Sequence, residues 1–88
     1  MRLALRFTGR VQGVGFRATT RSIARQHPVS GWVRNEADGS VTAQVQGSHL
    51  AVEMFVEELV ERMDSFITHV ERSPIEDEAG ETGFEIRR

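Results

Sequence analysis

The chain of 88 residues contains no cysteine and no lysine. Without cysteine there is no disulfide, no zinc–thiolate site and no thiol nucleophile, which excludes the cysteine-based phosphatases. Without lysine the Gly-Lys-Ser/Thr ending of a Walker A loop cannot be written. The N-terminal run Met-Arg-Leu-Ala-Leu-Arg-Phe holds no apolar stretch long enough for a signal peptide or a membrane span. A cytoplasmic protein that does not enter the membrane is therefore expected. No repeat, linker or low-complexity segment breaks the chain, and its length suits one domain, 1–88, with one modest core.

Acidic residues are scarce in the first half. Residues 1–44 carry seven arginines against Glu36 and Asp38, a balance of +5, whereas residues 45–88 carry four arginines against eleven acids, a balance of −7. The net charge of −2 conceals this split. A basic half is placed to draw a small anion, although arginines other than Arg17 fit an ordinary solvated surface equally well.

The basic half also holds the most telling segment, Gly9-Arg10-Val11-Gln12-Gly13-Val14-Gly15-Phe16-Arg17. Closely spaced glycines let a backbone turn its N–H groups inward without Cβ clashes. Such a nest at the mouth of a helix receives anions. Arg17 falls in the first helical turn, where a cation opposes the helix dipole unless a bound anion offsets it. Gly13-x-Gly15-x-x-Ala18 also matches part of a dinucleotide fingerprint, but that motif belongs to a doubly wound domain too large for this chain. A tight strand-to-helix turn with no ligand is the competing reading of the loop.

Around this loop, hydrophobic periodicity outlines the fold. Leu3, Leu5 and Phe7 alternate with polar neighbours, as in a half-buried strand. Phe16, Thr20, Ile23, Ala24 and His27 recur at helical spacing and stop before Pro28. Residues 29–37 read as a second strand, Asp38-Gly39 as a hairpin turn, and Val41, Ala43 and Val45 as a third strand. Ser48 is suited to cap a helix whose buried face is Val52, Phe55, Val56, Leu59 and Met63. Residues 66–73 suggest an edge strand because Pro74 follows. Residues 76–83 read as an acidic loop, and Phe84 and Ile86 share one side of a last short strand. The predicted fold is α+β, the ferredoxin-like βαββαβ sandwich, with an antiparallel sheet and both helices on one face. Arg6, Trp32, Arg34, Gln44 and Gln46 are expected to face solvent on the other.

Two signatures run through the chain: Gly9-x-Val11-Gln12-Gly13-Val14-x-Phe16-Arg17, then Gly31-Trp32-Val33-Arg34-Asn35-x-x-x-Gly39-x-Val41 with Gly47 beyond. With them the sequence resembles the acylphosphatases, from Leu3 to Phe84-Glu85-Ile86-Arg87. It departs from the family pattern at Phe7, where an aliphatic residue is usual, and at 64–68, where many relatives carry proline. Neither departure is expected to touch the loop.

The resemblance implies metal-independent hydrolysis of an acyl phosphate to a carboxylate and phosphate; a monomer with no cofactor is expected. The resemblance makes Arg17 the phosphate-binding catalytic residue and Asn35 the residue that positions water. The amides of Val11, Gln12, Gly13, Val14, Gly15 and Phe16 complete the phosphate cradle, and the substrate's own phosphate accepts the water's proton.

The residue types suit that chemistry. A carboxamide holds a water but is no strong base. An alkyl phosphate calls for a general acid or metals. An acyl phosphate expels a carboxylate whose conjugate acid has a pKa of about 4, so it leaves unprotonated at neutral pH. His27, His49 and His69 are read as structural or solvated, with no metal site. Glu36, next to Asn35, either repels a dianion or is harmless.

Two other readings compete. An RNA-binding sheet needs outward aromatics, and the corresponding positions Arg6, Thr8, Thr42 and Gln44 supply none. A non-catalytic or accessory phosphate-binding domain of the same family is the alternative kept open, with a free-standing hydrolase preferred.

Overall fold

The computed structural model describes residues 1–88. The elements run β1 (Arg2–Gly9), α1 (Phe16–Ala24), β2 (Val29–Asn35), β3 (Val41–Gly47), α2 (His49–Met63), a 3-10 turn (Asp64–Phe66), β4 (Ile67–Ile75) and β5 (Phe84–Arg87). The sheet order is β4-β1-β3-β2-β5. All pairings are antiparallel except β2 with β5, which is parallel. This is the ferredoxin-like α+β arrangement that the periodicity predicts, β1-α1-β2-β3-α2-β4, with β5 added beside β2 as the one parallel exception to the expected antiparallel sheet.

One apolar core explains the layering. Leu3, Leu5 and Phe7 of β1, Val33 of β2, and Val41, Ala43 and Val45 of β3 are buried with Phe16 and Ile23 of α1. Val52, Phe55, Val56, Leu59 and Met63 of α2 join the same cluster, as their spacing along one helix face requires. Thr20, buried among them, donates its hydroxyl to Phe16 O at 2.8 Å, which satisfies a group that burial would otherwise penalise. Ser48 caps α2 by accepting from Ala51 N at 3.1 Å.

Topology then decides where chemistry can gather. Because β3 lies between β1 and β2 and opposes both, those two strands run the same way, and β5 follows β2. The carboxyl ends of β1, β2 and β5 therefore meet at one end of the sheet. Phe7 and Asn35 both pair with Val41, so the two strand ends sit roughly 10 Å apart, two strand spacings.

Several sequence expectations change here. β2 ends at Asn35 rather than residue 37, because Glu36 N already donates back to Ser40 O and Gly39 N to Glu36 O. Trp32 lies on the open face but is only 7 % exposed: the guanidiniums of Arg34 and Arg87 stand 4.9 and 4.8 Å from its ring centroid and cover it. Stacked cations are attracted to the negative face of an indole. β4 runs on through Pro74, which an edge strand tolerates because no partner needs the missing N–H.

The acidic 76–83 connection, expected as a plain loop, is fastened to the sheet. Arg2, 2 % exposed, donates from Nη1 and Nη2 to the two carboxylate oxygens of Glu81 at 2.8 and 3.1 Å. It also donates to Gln44 and Gln46 at 3.0 Å each, while Ser30 donates to Glu81 at 2.8 Å. The hydrogen bond from Arg2 holds the Glu81 carboxyl below the usual carboxylate range. No helix is long and apolar enough to cross a membrane.

Candidate active site

At the shared strand ends lies a cleft of about 270 Å³ lined by Val11, Gly13, Gly15, Phe16, Arg17, Ala18, Asn35, Ile86 and Arg88. Arg17 from α1 and Asn35 from β2 thus reach one cavity, although 18 positions separate them in sequence. Of the other expected cradle residues, Val11, Gly13, Gly15 and Phe16 line it. Gln12 and Val14 do not. Val14 packs against the core, and the Gln12 side chain turns to the β2–β3 connection. Ile86 and Arg88 are lining residues that the sequence reading missed; their place follows only from β5 running parallel to β2.

The backbone geometry explains the glycines. Gly13 and Gly15 have φ of +78° and +77°, with open space around a would-be Cβ. Conformation, not crowding, demands glycine there. Gly9 differs: a Cβ would stand 2.4 Å from Phe66 O, because Arg10 N donates to that carbonyl at 2.9 Å.

That bond corrects an expectation. The 64–68 segment does touch the loop, at its entrance. Phe7 also does so, with its ring 5.0 Å from that of Phe16 where the loop becomes helix. Both family departures sit against the two ends of the loop.

Between those ends the amides are free of protein acceptors. No backbone N–H from Val11 to Ala18 donates within the protein. The last three are the unpaired donors of any helix start; the others come from the loop. Val11 and Phe16 are themselves buried residues. Arg17, half-buried, belongs to none of the ten ion pairs. No acid lies in the first turn of α1, nor anywhere in residues 1–35. The loop and first helical turn thus offer an anion free donors and positive charge.

Glu36 was the one acid that threatened this field. Its carboxylate accepts from Thr42 Oγ1 and from Arg34 Nε, the latter at 2.8 Å. These two bonds, Thr42 first, hold its pKa below the ordinary value. The charge is thus spent on neighbours. Asp38 does the same in the next turn: Ser40 donates from Oγ at 2.6 Å and N at 3.0 Å. With the Arg6 guanidinium alongside, the Asp38 pKa falls to about 2.

A larger depression of about 560 Å³ lies between His27 and the polar face of α2, lined by Met54, Glu57, Glu58, Glu61 and Arg62. His27 Nε2 sits 3.0 Å from Glu58 Oε1. Three carboxylates repel a phosphate, so this surface does not compete for the role. No cluster of metal-ligating side chains is present.

The folded chain is a ferredoxin-like sandwich whose cleft joins a glycine loop, an arginine and an asparagine at the ends of parallel strands. It belongs to the acylphosphatase family: the model of that family matches residues 3–86. An acylphosphatase of Thiobacillus denitrificans is 46% identical over 86 residues, covering 97% of this chain and 94% of that protein. One from Salinibacter ruber is 55% identical over 56 residues, and that alignment spans 59% of the relative's length. Among solved structures, acylphosphatase from Bacillus subtilis superposes with a TM-score of 0.88 at 28% identity, covering 99% of this chain and 98% of that one. Full-length HypF in its phosphate- and nucleotide-bound form contains a similar unit, with a TM-score of 0.89 at 28% identity over 12% of its chain.

Proposed function

We propose that the chain hydrolyses acyl phosphates to a carboxylate and inorganic phosphate, the activity that the name acylphosphatase gives its relatives, and that it does so without a metal. The observation that carries this reading is the run of unpaired amides from Val11 to Ala18, a segment whose Val11, Gly13, Gly15, Phe16 and Ala18 line the cleft that Arg17 and Asn35 share. The loop amides cradle the phosphoryl oxygens. Arg17 forks onto them and stabilises the charge that builds there during transfer.

Asn35 holds a water in line with the scissile bond, its Oδ1 accepting a hydrogen bond from the water and leaving the water's lone pair toward phosphorus. The water oxygen bonds to phosphorus as the bond to the acyl oxygen breaks. The carboxylate departs without a proton, being the anion of an acid of pKa about 4, and the water's proton passes to a phosphoryl oxygen. No step calls for a strong base, and the cleft offers none.

Because loop, arginine and asparagine all come from one chain, the reading takes a monomer as the working unit. It keeps the cytoplasmic setting expected from the sequence.

The test is hydrolysis of benzoyl phosphate by purified protein in EDTA, with Arg17→Ala as control. Turnover that survives chelation and disappears in the variant supports the reading. A wild-type protein without turnover overturns it.

A further inference from the structure

Gln12 stands inside the glycine loop, yet its side chain leaves the cleft. Its Nε2 donates to Glu36 O at 2.8 Å and to Ser40 O at 2.9 Å. Both partners are carbonyls, so only the amide nitrogen can face them, which fixes the orientation of the carboxamide. The same two carbonyls also accept the bonds that close the β2–β3 turn, Gly39 N to Glu36 O and Glu36 N to Ser40 O. Gln12 therefore takes up the remaining acceptor capacity of the turn. No other side chain of residues 10–15 bonds to it.

The turn is itself tied by side-chain bonds. Glu36 is held by Arg34 and Thr42, and Asp38 by Ser40 and Arg6. Asn35 is the residue immediately before this turn and the last of β2. Besides Gln12, Arg6 of β1 reaches the turn at Asp38, but no other side chain of the loop itself does.

We propose that Gln12 is the positioning residue that sets Asn35 against the phosphate held in the loop. The proposal rests on the acylphosphatase reading and adds a division of labour to it. The Gln12 backbone belongs to the loop that binds phosphate, while its side chain sets the distance to the water-holding carboxamide. Loss of the side chain leaves the amides and Arg17 in place, so binding survives and the chemical step suffers.

The experiment uses Gln12→Met, which keeps length and loses both donors, and Gln12→Glu, which sets an acceptor against two carbonyls; the second serves if the first does not fold. With benzoyl phosphate in EDTA, kcat of Gln12→Met is expected to fall roughly 10- to 100-fold. Competitive inhibition by inorganic phosphate is expected to stay within roughly two-fold of wild type. In an Asn35→Ala background, Gln12→Met is expected to change kcat by less than about two-fold, because the two residues act as a unit. Losses that multiply in the double variant, or weakened phosphate inhibition with kcat intact, overturn the proposal.

If the wild-type protein shows no turnover, the acylphosphatase reading fails, and ¹⁵N spectra decide the proposal separately. Inorganic phosphate is expected to shift the Asn35 side-chain amide in the wild type. In Gln12→Met it should still shift the loop amides but lose that Asn35 response. An Asn35 response that is the same in both proteins overturns the proposal.

Discussion

Two arginines, Arg2 and Arg17, stand in opposite circumstances. Arg2 is buried at the start of β1 and has its donors committed to Glu81, Gln44 and Gln46. Arg17 sits at the start of α1, half-buried, beside amides that have no protein acceptor. One guanidinium is saturated by the protein and pins a long connection to the sheet. The other is left unsaturated where charge and donors collect. A saturated cation serves the fold, because removing its partner strands a charge. An unsaturated one beside unpaired amides is left free for a ligand, at some cost to the helix dipole.

Substitutions sharpen this contrast. Arg17→Ala is expected to lower kcat/KM for benzoyl phosphate by about 10³-fold or more, the scale of losing a transition-state donor. Its melting temperature should stay within about 4 °C of wild type, below the shift for 1 kcal/mol in a domain of this size. A variant that melts far lower while keeping its rate would place Arg17 with Arg2. Asn35→Ala is expected to lower kcat by about 10²-fold with KM changed less than about three-fold. A raised KM with intact kcat, read from the same steady-state curves, would make Asn35 a binding residue instead.

Glu81→Ala should show the reverse profile. It leaves the Arg2 guanidinium buried without its carboxylate and is expected to cost about 3 kcal/mol, read by denaturant unfolding. Hydrolysis per folded molecule should change little. If Glu81→Ala instead removes activity without loss of stability, the two ends of the molecule are not separate.

The smallest effect is in pH. The folded Glu81 carboxyl has a lowered pKa, with Arg2 as first cause. Its contribution to stability is therefore present above the unfolded value, about 4.3, and is lost as pH falls through the lower folded value. The stability gap between wild type and Glu81→Gln is expected to narrow as pH drops below about 4.3. A gap that widens in acid would contradict the assigned direction.

The sequence revealed local features and hid long-range ones. Gly13 and Gly15 were readable because positive φ leaves a residue-type signature, and both helices because their buried faces repeat at 3.6 residues. Asn35 was readable only as part of its motif, since its place beside Arg17 depends on β1 and β2 both pairing with Val41. Nothing in the sequence marked the Arg2–Glu81 pair, whose partners lie 79 positions apart. Trp32 was expected in solvent because alternation gives the face of a strand, not what covers it; Arg34 and Arg87 do so here. The Gln12 bonds and the lining role of Ile86 and Arg88 were hidden for the same reason.

The most direct measurement is a titration of ¹⁵N-labelled protein with inorganic phosphate, following the backbone amides and the Arg17 guanidinium. Saturable shifts are expected at residues 11–18, Arg17 and Asn35 alone, with the Arg2–Glu81 region unmoved and the loop response lost in Arg17→Ala. Shifts at the His27–Glu58 depression, or none in the loop, would contradict this expectation.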